Sequence, residues 1–342
     1  MRLEERIESF AELGRVLRES IAGNITGYSA LIEDKIISQQ FSNPWFTPEN
    51  VRMAIQSIAM ELTMENLIKW TGNYPGLATN EKKGTAAVVM AGNIPLAGFH
   101  DYLSVLISGF NLIAKTSSKD SELIRLIHNI LSEINSGFST KVKFADGPIS
   151  GFDCVIATGS DNSSRYFEFY FGRYPHIIRK NRNSIAVIEG DETDRELEML
   201  GSDVFSYFGL GCRNVSKIFI PDGYDITGIV RKWKKYSSLT EHHKYFNNYE
   251  YNKAVYLINK NTFTDAGFLL LREDQGISSP VAVLYFEYYD SPENVIRKTE
   301  LMKNRIQCIV SKENVPFGSA QTPYLWDYAD GIDTLEFLLK IN

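Results

Sequence analysis

The first 80 residues carry hydrophobic side chains at the spacing of amphipathic helices. In the first such stretch the apolar residues recur every three or four positions, at Leu3, Ile7, Phe10, Leu13 and Leu17. Thr47 and Pro48 are typical of a helix start, because threonine caps the first turn and proline fits it. From there the apolar spacing continues to about Trp70. We therefore predict an N-terminal helical segment over residues 1–80.

Between residues 81 and 182 the pattern changes to short apolar runs that alternate with amphipathic stretches. The runs cover 84–91, 110–115, 141–144 and 154–157, and the helical stretches cover 99–108 and 121–134. This alternation predicts a doubly wound domain with a parallel sheet. Ligands of such sheets bind where strands end in loops, and the loops here are 92–98, 116–120 and 158–160.

A second alternation occupies residues 183–315. Its expected strands are 185–188, 217–220, 254–258, 281–286 and 306–310, with one helix at 194–208 and another of about ten residues after Ser291. The tail, 316–342, is expected to hold a loop and a short helix at 334–339. The predicted fold class is thus α/β, with two Rossmann-like domains at 81–182 and 183–315. We expect the N-terminal helices to pack on the first of these domains.

The composition is that of an ordinary globular protein. Hydrophobic residues make up 44% of the 342 residues, charged residues 23%, and the formal net charge is −6. Because the chain has no long basic run, non-specific binding to nucleic acid is not expected. Its apolar stretches are too short to span a bilayer, and its first residues are too polar for a signal peptide. Three cysteines, an odd number, fit a reducing compartment, so we expect a cytoplasmic protein without stable membrane insertion.

One cysteine lies among small residues just before an apolar run. Cys212 follows two closely spaced glycines and precedes the strand expected at 217–220, and glycine permits close approach of backbone or ligand. The nearby cations Arg213 and Lys217 would favour a thiolate, which is the form that a nucleophile requires. From the residues alone the alternative is a buried small hydrophobe, because free cysteine is among the most buried residue types.

The remaining chemical motifs are better explained by packing or solvation. The sequence has no glycine-rich dinucleotide fingerprint and no phosphate loop. The pair His242–His243 lies among polar residues without a metal-ligand spacing, so we expect a solvated segment and no metal site. Cys154 and Cys308 lie inside expected strands and are assigned to the core. The aromatic clusters 166–171 and 285–289 are assigned to packing.

Several loops occur in the order found in a known family. The segments concerned are Gly92–Pro95, Ile113–Ser118, Thr158–Ser160, Gly209–Cys212 and Ser279–Val281. They resemble, in turn, the Asn-Phe-Pro loop, the Lys-Pro-Ser-Glu segment, the Thr-Gly-Ser loop, the catalytic-cysteine segment and the Gly-Pro-Val segment of the aldehyde dehydrogenase superfamily. Over residues 84–342 the chain is most similar to the LuxC-like acyl-CoA reductases, which make fatty aldehydes. The resemblance implies an aldehyde-dehydrogenase-like fold.

The resemblance also implies roles for individual residues. Cys212 is the implied catalytic nucleophile, and Asn93 is an implied side-chain donor to the oxyanion that forms on the substrate. In the alternative interpretation, Asn93 is a loop residue that only caps neighbouring amides. The residues implied to hold a nicotinamide cofactor are Lys115, Ser118, Lys119, Thr158, Gly159 and Ser160.

The expected cofactor is NADPH, with NADH less favoured. Superfamily members that prefer NAD typically place a glutamate where this chain has Ser118, so a hydroxyl acceptor and a charge that repels phosphate are both missing. The neighbouring Lys119 suits a phosphate group as a point charge. In the alternative, Ser118 caps the helix expected near Ser121 and Lys119 is merely solvated.

Other departures from the family concern the reaction. Aldehyde-oxidising members carry a Glu-Leu-Gly-Gly segment whose glutamate activates water, and the matching place here is Arg179–Arg182, without a carboxylate. Leu210 replaces the glutamine before the cysteine, and Gly276 replaces a glutamate that normally holds the nicotinamide ribose. Because an acyl-enzyme would lack its base for hydrolysis, the implied function is NADPH-dependent reduction of an acyl-CoA, or of an acyl-carrier thioester, to an aldehyde through an acyl group on Cys212.

Two alternatives to this function stay open at the level of the sequence. One is a cysteine acyltransferase or thioesterase that uses Cys212 without hydride transfer. The other is a degenerate, non-catalytic family member that serves as a binding subunit. A homodimer is compatible with each of these functions.

Overall fold

The computed structural model describes residues 1–24, 27–79 and 84–341 of the chain. Contacts between backbone positions divide the chain into two compact units, Met1–Asn181 with Pro323–Asn342, and Arg182–Thr322. The boundary expected at residue 182 lies next to this division, and the boundary expected at residue 80 lies outside the described residues. The predicted tail, 316–342, is shared between the two units.

The first unit begins with helices. They are α1 (Leu3–Ile21), α2 (Ser29–Ser42), α3 (Pro48–Glu61), α4 (Met64–Thr71) and α5 (Gly76–Thr79). The single helix predicted from Thr47 to about Trp70 is therefore wrong, because the chain leaves the helical conformation at Leu62. The Thr63 side chain then accepts a hydrogen bond from the Asn66 amide and caps α4. Threonine is a favoured residue at the N-cap position.

A parallel sheet follows these helices. Its elements are β1 (Thr85–Val89), α6 (Phe99–Ile107), β2 (Asn111–Lys115), α7 (Glu122–Ile134), β3 (Val142–Phe144), β4 (Cys154–Thr158), α8 (Asp161–Phe171) and β5 (His176–Arg179). The strand order is β3-β2-β1-β4-β5, and all four pairs are parallel. The sequence did not indicate β5, because one of its two buried positions is a charged residue, Arg179.

The second unit contains a sheet of six strands. Its elements are β6 (Asn183–Val187), α9 (Asp194–Phe205), β7 (Val215–Pro221), α10 (Ile226–Lys232), α11 (His243–Ile258), β8 (Thr264–Asp265), β9 (Leu270–Glu273), β10 (Val283–Tyr289), α12 (Pro292–Met302) and β11 (Ile306–Val310). The order is β11-β6-β7-β10-β9-β8, and only β8 pairs in the antiparallel direction among the described strands. The last helix, α13 (Thr334–Leu339), belongs to the first unit.

The helices and the sheet of the first unit share one hydrophobic core. Phe10 and Leu13 of α1, Trp70 of α4 and Leu112 of β2 are fully or almost fully buried in it. Leu335 of α13 lies in the same core, so the N-terminal helices and the end of the tail pack on the first sheet. Burial of each such side chain stabilises the fold by about 1.5–3 kcal/mol.

One strand predicted from an apolar run is wrong. The strand expected at 254–258 is the end of α11, where Tyr245, Tyr249 and Tyr256 are buried at helical spacing. The apolar run 254–258 resembles a strand in composition, but the buried face of this segment has a helical period.

The aromatic cluster 166–171 was assigned to packing, but it divides along α8. Phe167 and Phe171 pack on the sheet, whereas three other rings are mostly exposed, at Tyr166, Phe169 and Tyr170. In the second cluster, Tyr289 is buried and its hydroxyl donates to the Ile188 carbonyl.

Within the described parts of the chain, we find no helix that combines the length and the apolar character needed to cross a membrane.

Candidate functional site

The first unit has a topological switch point at β1. Strands β2 and β3 lie on one side of β1, and β4 and β5 lie on the other. In open parallel sheets, ligands bind outside the carboxyl ends of the strands at such a point. Val89 near the end of β1 pairs with Lys115, the last residue of β2, and with Ala157 of β4. The loop with Asn93 and the two segments predicted to hold a cofactor therefore follow three adjacent strands, β1, β2 and β4, at the same edge of this sheet.

The loop after β1 packs closely on the loop after β2. A Cβ placed on Gly92 would lie 2.4 Å from the Ser117 hydroxyl oxygen and 2.6 Å from the Ser117 Cβ, so this position excludes any larger residue. The Leu96 amide donates to the Asp120 carboxylate over 2.6 Å. Leu96 has a φ of 59°, a left-handed conformation that is costly for leucine and needs support from its surroundings.

Asp120 provides that support from a buried position. The residue is 5% exposed, and one of its carboxylate oxygens has no hydrogen-bond partner among the described residues. Burial raises the pKa of Asp120 to about 7, although the hydrogen bond from Leu96 lowers it. No pattern in the sequence predicts this role of Asp120, because it depends on a contact with Leu96, which lies 24 positions earlier.

Asn93 lies exposed in the loop after β1. Both interpretations of its side chain, as oxyanion donor and as a cap for neighbouring amides, stay predictions. Its position is fixed from both sides, since Gly92 packs on Ser117 and Leu96 is held by Asp120.

The residues predicted to hold the adenosine end of a cofactor lie at the end of β2 and just beyond it. The Lys115 ammonium donates to the Asp146 carbonyl. Ser118 and Lys119 are exposed in the turn between Ser117 and Asp120. The N-cap residue of α7 is Ser121, so the alternative in which Ser118 caps this helix is wrong.

The segment after β4 leads directly into α8. Ser160 is the N-cap residue of this helix, and its hydroxyl oxygen accepts a hydrogen bond from the Ser163 amide over 3.3 Å. A Cβ on Gly159 would lie 2.8 Å from atoms of both Ser163 and Phe167. Thr158 and Gly159 are half-buried, and Ser160 is exposed.

The stretch that matches the family's Glu-Leu-Gly-Gly segment begins at a buried arginine. The Arg179 guanidinium donates to the carboxylate of Asp101 on α6 and, over 2.9 Å, to the hydroxyl of Thr334 on α13. Arg179 is 3% exposed and Asp101 is 6% exposed. Arg179 therefore joins β5 to two helices of the first unit.

In the second unit, the candidate nucleophile lies in a turn before β7. Cys212 is half-buried and is not in a disulfide. The chain enters this turn through three residues with left-handed backbones, Tyr207, Phe208 and Gly209, whose φ values are 52°, 58° and 77°. The helix expected to run to residue 208 therefore ends at Phe205, because a left-handed residue cannot continue a right-handed helix.

The buried side chain of Asn214 holds the turn together. Its carboxamide nitrogen donates to the carbonyls of Asp203 over 3.0 Å and of Ser206 over 2.8 Å. Its carboxamide oxygen accepts from the Gly211 amide over 2.8 Å. Asn214 was not singled out from the sequence, although an asparagine two residues after a candidate cysteine is the available signal.

The two cations expected to favour a thiolate have other partners. The Lys217 ammonium is fully buried and pairs with the Glu287 carboxylate and the Asp274 carbonyl. Burial lowers the pKa of Lys217, while Glu287 raises it. The expected role of Lys217 is therefore wrong, because Glu287 neutralises its charge. The Arg213 guanidinium donates to the Ala320 carbonyl over 2.7 Å.

The other two cysteines and the paired histidines have structural positions. Cys154 is buried in β4, and burial raises the pKa of its thiol to about 12. Cys308 in β11 is half-buried, and its sulfur lies 3.0 Å from the Ser184 hydroxyl. His242 caps α11 and lies on the Phe208 ring, with ring centres 4.4 Å apart. Among the described residues, no three His, Cys, Asp or Glu side chains form a group that could hold a metal ion.

Comparison with known proteins identifies the fold. No model of a known protein family matches the sequence, and no curated protein is significantly similar to it. An aldehyde dehydrogenase from Mycobacterium tuberculosis complexed with NAD+ matches with a TM-score of 0.62 and 14% identity, over 91% of this chain and 74% of that chain. For aldehyde dehydrogenase 21 from Physcomitrella patens, in complex with the reaction product succinate, the TM-score is 0.63 at 12% identity, over 91% and 74% of the chains.

An oxidoreductase from Marinobacter aquaeolei matches over 95% of this chain and 77% of that chain, with a TM-score of 0.66 and 10% identity. The chain therefore has the α/β fold of the aldehyde dehydrogenases, as the resemblance in the sequence implied.

Proposed function

We propose that the protein is a nicotinamide-dependent oxidoreductase that reduces an acyl thioester to an aldehyde. The observation that carries this proposal is the half-buried Cys212 thiol, held in a turn before β7, in a fold shared with NAD+-binding aldehyde dehydrogenases. Acyl transfer to a cysteine needs an accessible sulfur beside fixed backbone donors, and this turn supplies both kinds of group.

The first unit fits a nicotinamide cofactor. Its strand order changes direction at β1, and the segments after β1, β2 and β4 lie at the edge where such sheets bind nucleotides. Gly92 and Gly159 leave no room for a side chain, so both loops lie close to their neighbours. Lys115 and the N-terminus of α8, capped by Ser160, would hold the adenosine and phosphate groups.

In the first half of the proposed reaction, the Cys212 thiolate attacks the carbonyl carbon of an acyl thioester. A carbon–sulfur bond forms, and the carbonyl electron pair moves to oxygen, where the Cys212 backbone N–H donates a hydrogen bond to the negative charge. Asn93 stays the side-chain donor that the resemblance implies. When the carbonyl re-forms, the bond to the CoA or carrier sulfur breaks and that thiolate leaves. The acyl group is then held on Cys212.

A reduced nicotinamide cofactor supplies a hydride when it is bound. The carbonyl carbon of the Cys212 thioester would accept this hydride, and the Cys212 backbone N–H would donate to the resulting oxyanion. As the carbonyl re-forms, the bond between carbon and the Cys212 sulfur breaks, which releases the aldehyde and restores the thiolate. The balance is one thioester and one hydride converted to one aldehyde and one free thiolate.

The stretch 179–182 distinguishes reduction from hydrolysis. It contains no carboxylate, and Arg179 is committed to a buried ion pair with Asp101. Loss of one general base typically lowers the rate of the catalysed step by ~10²–10⁴. The acyl group on Cys212 would therefore resist hydrolysis and react with a hydride or a thiol. This favours a reductase over a thioesterase.

For the same site we propose a preference for NADPH. Ser118 and Lys119 are both exposed in the turn after β2, and Ser118 does not cap α7. A serine in place of the family's glutamate offers no charge that repels a phosphate, and the Lys119 ammonium attracts one.

A stopped reaction with an acyl-CoA, with and without NADPH, tests the proposal by intact mass. A cysteine adduct without NADPH and an aldehyde with NADPH are expected. An adduct that never yields aldehyde would support the acyltransferase, and no adduct at all would support a non-catalytic binding subunit. The control is Cys154→Ser, which removes the buried thiol of β4 and leaves Cys212 and its contacts intact.

A further inference from the structure

We infer that Asn214 and Ser184 are the positioning residues of the proposed nucleophile. They fix the directions of the two peptide groups that flank Cys212, and through them they aim the Cys212 N–H at the oxygen that becomes negative. The inference deepens the proposed function and rests on it.

The first anchor acts on the peptide that precedes Cys212. The Asn214 backbone N–H donates to the Gly211 carbonyl over 3.1 Å. Gly211 C=O and Cys212 N–H belong to the same peptide group, which is planar and trans, so they point in opposite directions. Because the carbonyl faces Asn214, the Cys212 N–H is directed away from Asn214.

The Asn214 side chain keeps this arrangement from relaxing. Its oxygen accepts from the Gly211 N–H, and its nitrogen donates to the Ser206 carbonyl just before the left-handed residues. A strained segment persists only when its surroundings hold it. Asn214 is 2% exposed, and its backbone and side chain together bind Gly211 through both its N–H and its C=O.

The second anchor acts on the peptide that follows Cys212. The Ser184 hydroxyl donates to the Cys212 carbonyl over 3.1 Å, and its oxygen accepts from the Cys308 amide over 3.2 Å. Ser184 is fully buried in β6, which lies between β11 and β7 in the sheet. This contact ties the backbone of Cys212 to two strands, β6 and β11.

Together the anchors fix two successive peptide groups around one sulfur. A backbone donor stabilises an oxyanion only if it is aimed before the reaction begins, and loss of one such donor costs about 10²–10³ in kcat. A thiol that is merely exposed would attack a thioester without this help. The anchors therefore distinguish acyl transfer from other reactions of the same thiol.

The experiment compares two reactions of Cys212 in each variant. Acylation by p-nitrophenyl acetate and by octanoyl-CoA forms an oxyanion, whereas alkylation by iodoacetamide forms none. The variants are Asn214→Ala, Asn214→Asp, Ser184→Ala and Ser184→Thr, and peptide mass mapping assigns each adduct to Cys212. The matched controls are Asn252→Ala, which removes a buried carboxamide bonded to the Val281 carbonyl, and Ser311→Ala, which removes another buried hydroxyl.

We expect both Asn214 variants to lose about 100-fold in acylation rate and to keep alkylation within a few-fold of the wild type. Ser184→Ala should lose about tenfold in acylation, and Ser184→Thr, which keeps the hydroxyl, should recover most of the loss. Both controls should acylate normally. If an Asn214 variant does not fold, the Ser184 pair decides the question.

Acylation and alkylation that fall together would overturn the inference, because the anchors would then be general structural residues. Unchanged acylation in all variants would overturn it as well, while the proposed function would survive. A wild-type protein whose Cys212 is acylated by neither donor would overturn the proposed function and this inference with it.

Discussion

The two units carry their candidate residues at opposite ends of parallel strands. In the first unit, the loop with Asn93 and the predicted cofactor segments lie at the carboxyl edge, at the ends of β1, β2 and β4. In the second unit, Cys212 precedes β7 and lies at its amino end. The carboxyl edge of a parallel sheet is a general binding position. The turn that contains Cys212 is an irregular segment and not a general feature of such sheets.

This difference shows in what holds each site. The loops of the first unit are fixed by the close contact between Gly92 and the Ser117 side chain and by the hydrogen bond from the Leu96 amide to Asp120. The turn of the second unit has three left-handed residues and is held by the side chain of Asn214. A site built on regular elements tolerates more change around it than a site built on one buried carboxamide.

The largest expected effect tests the second unit alone. Cys212→Ser should lower acyl-enzyme formation by ~10⁴-fold or more, because an unassisted serine hydroxyl is a far weaker nucleophile than a thiolate. Rapid quench with octanoyl-CoA and intact mass measures it. Cys154→Ser and Cys308→Ser should change stability more than acylation. Near-normal aldehyde production by Cys212→Ser would refute the assignment of the nucleophile.

The next effect tests the close packing in the first unit. Gly92→Ala should destabilise the fold by about 1–3 kcal/mol, because its Cβ would overlap Ser117 and force the two loops apart. Urea unfolding and the dissociation constant for NADPH measure it. Gly147→Ala is the control, since a Cβ there meets nothing within 4 Å. Equal stability for Gly92→Ala and Gly147→Ala would show that the loops are not tightly packed.

A smaller effect concerns the choice of cofactor. Ser118→Glu should shift the ratio of kcat/KM for NADPH and NADH towards NADH by roughly tenfold to a hundredfold, about 1.5–3 kcal/mol for one charge-assisted contact. Ser139→Glu adds the same charge before β3, at the other edge of the sheet, and should leave the ratio unchanged. A wild type that prefers NADH would contradict the proposed preference.

A further expected effect is a pH dependence of stability that comes from Asp120. Burial raises its pKa from an ordinary value of 3.8 to about 7 in the folded protein, so between these values the folded state keeps a proton that the unfolded state has released. Its contribution to stability therefore falls as pH rises from about 4 to 7 and is then constant.

Asp120→Asn cannot ionise and keeps an acceptor for the Leu96 N–H. Relative to the wild type, this variant should gain stability as pH rises from about 5 to 8, which urea midpoints at the two pH values measure. A difference between the two proteins that does not change with pH would show that Asp120 does not titrate in this range.

The sequence was sufficient for most of the fold. Alternating apolar runs located β1, β2, β4 and most later strands, and α13 was predicted at its observed bounds. The errors arose where one pattern resembled another. The end of α11 is a short apolar run like that of a strand, and β5 buries a charged residue, Arg179.

The candidate site was only partly predictable. Resemblance pointed to Cys212 and to the loops after the strands of the first unit. The sequence does not predict the roles of Asn214 and Asp120. These side chains support left-handed backbones, at Tyr207 and Phe208 in one case and at Leu96 in the other. Bulky residues rarely adopt that conformation, so no sequence pattern announces it. Because Tyr207 and Phe208 rarely adopt this conformation, the turn before β7 needs the hydrogen bonds of the buried Asn214 side chain.

The central claim is that an acyl group on Cys212 passes to hydride or to a thiol and not to water. The direct measurement acylates the protein with octanoyl-CoA, removes the free thioester by gel filtration, and divides the sample among buffer, NADPH and CoA. We predict that the acyl group stays on Cys212 in buffer, is released as octanal with NADPH, and returns to octanoyl-CoA with CoA. Release of octanoic acid in buffer as fast as octanal forms with NADPH would contradict the claim.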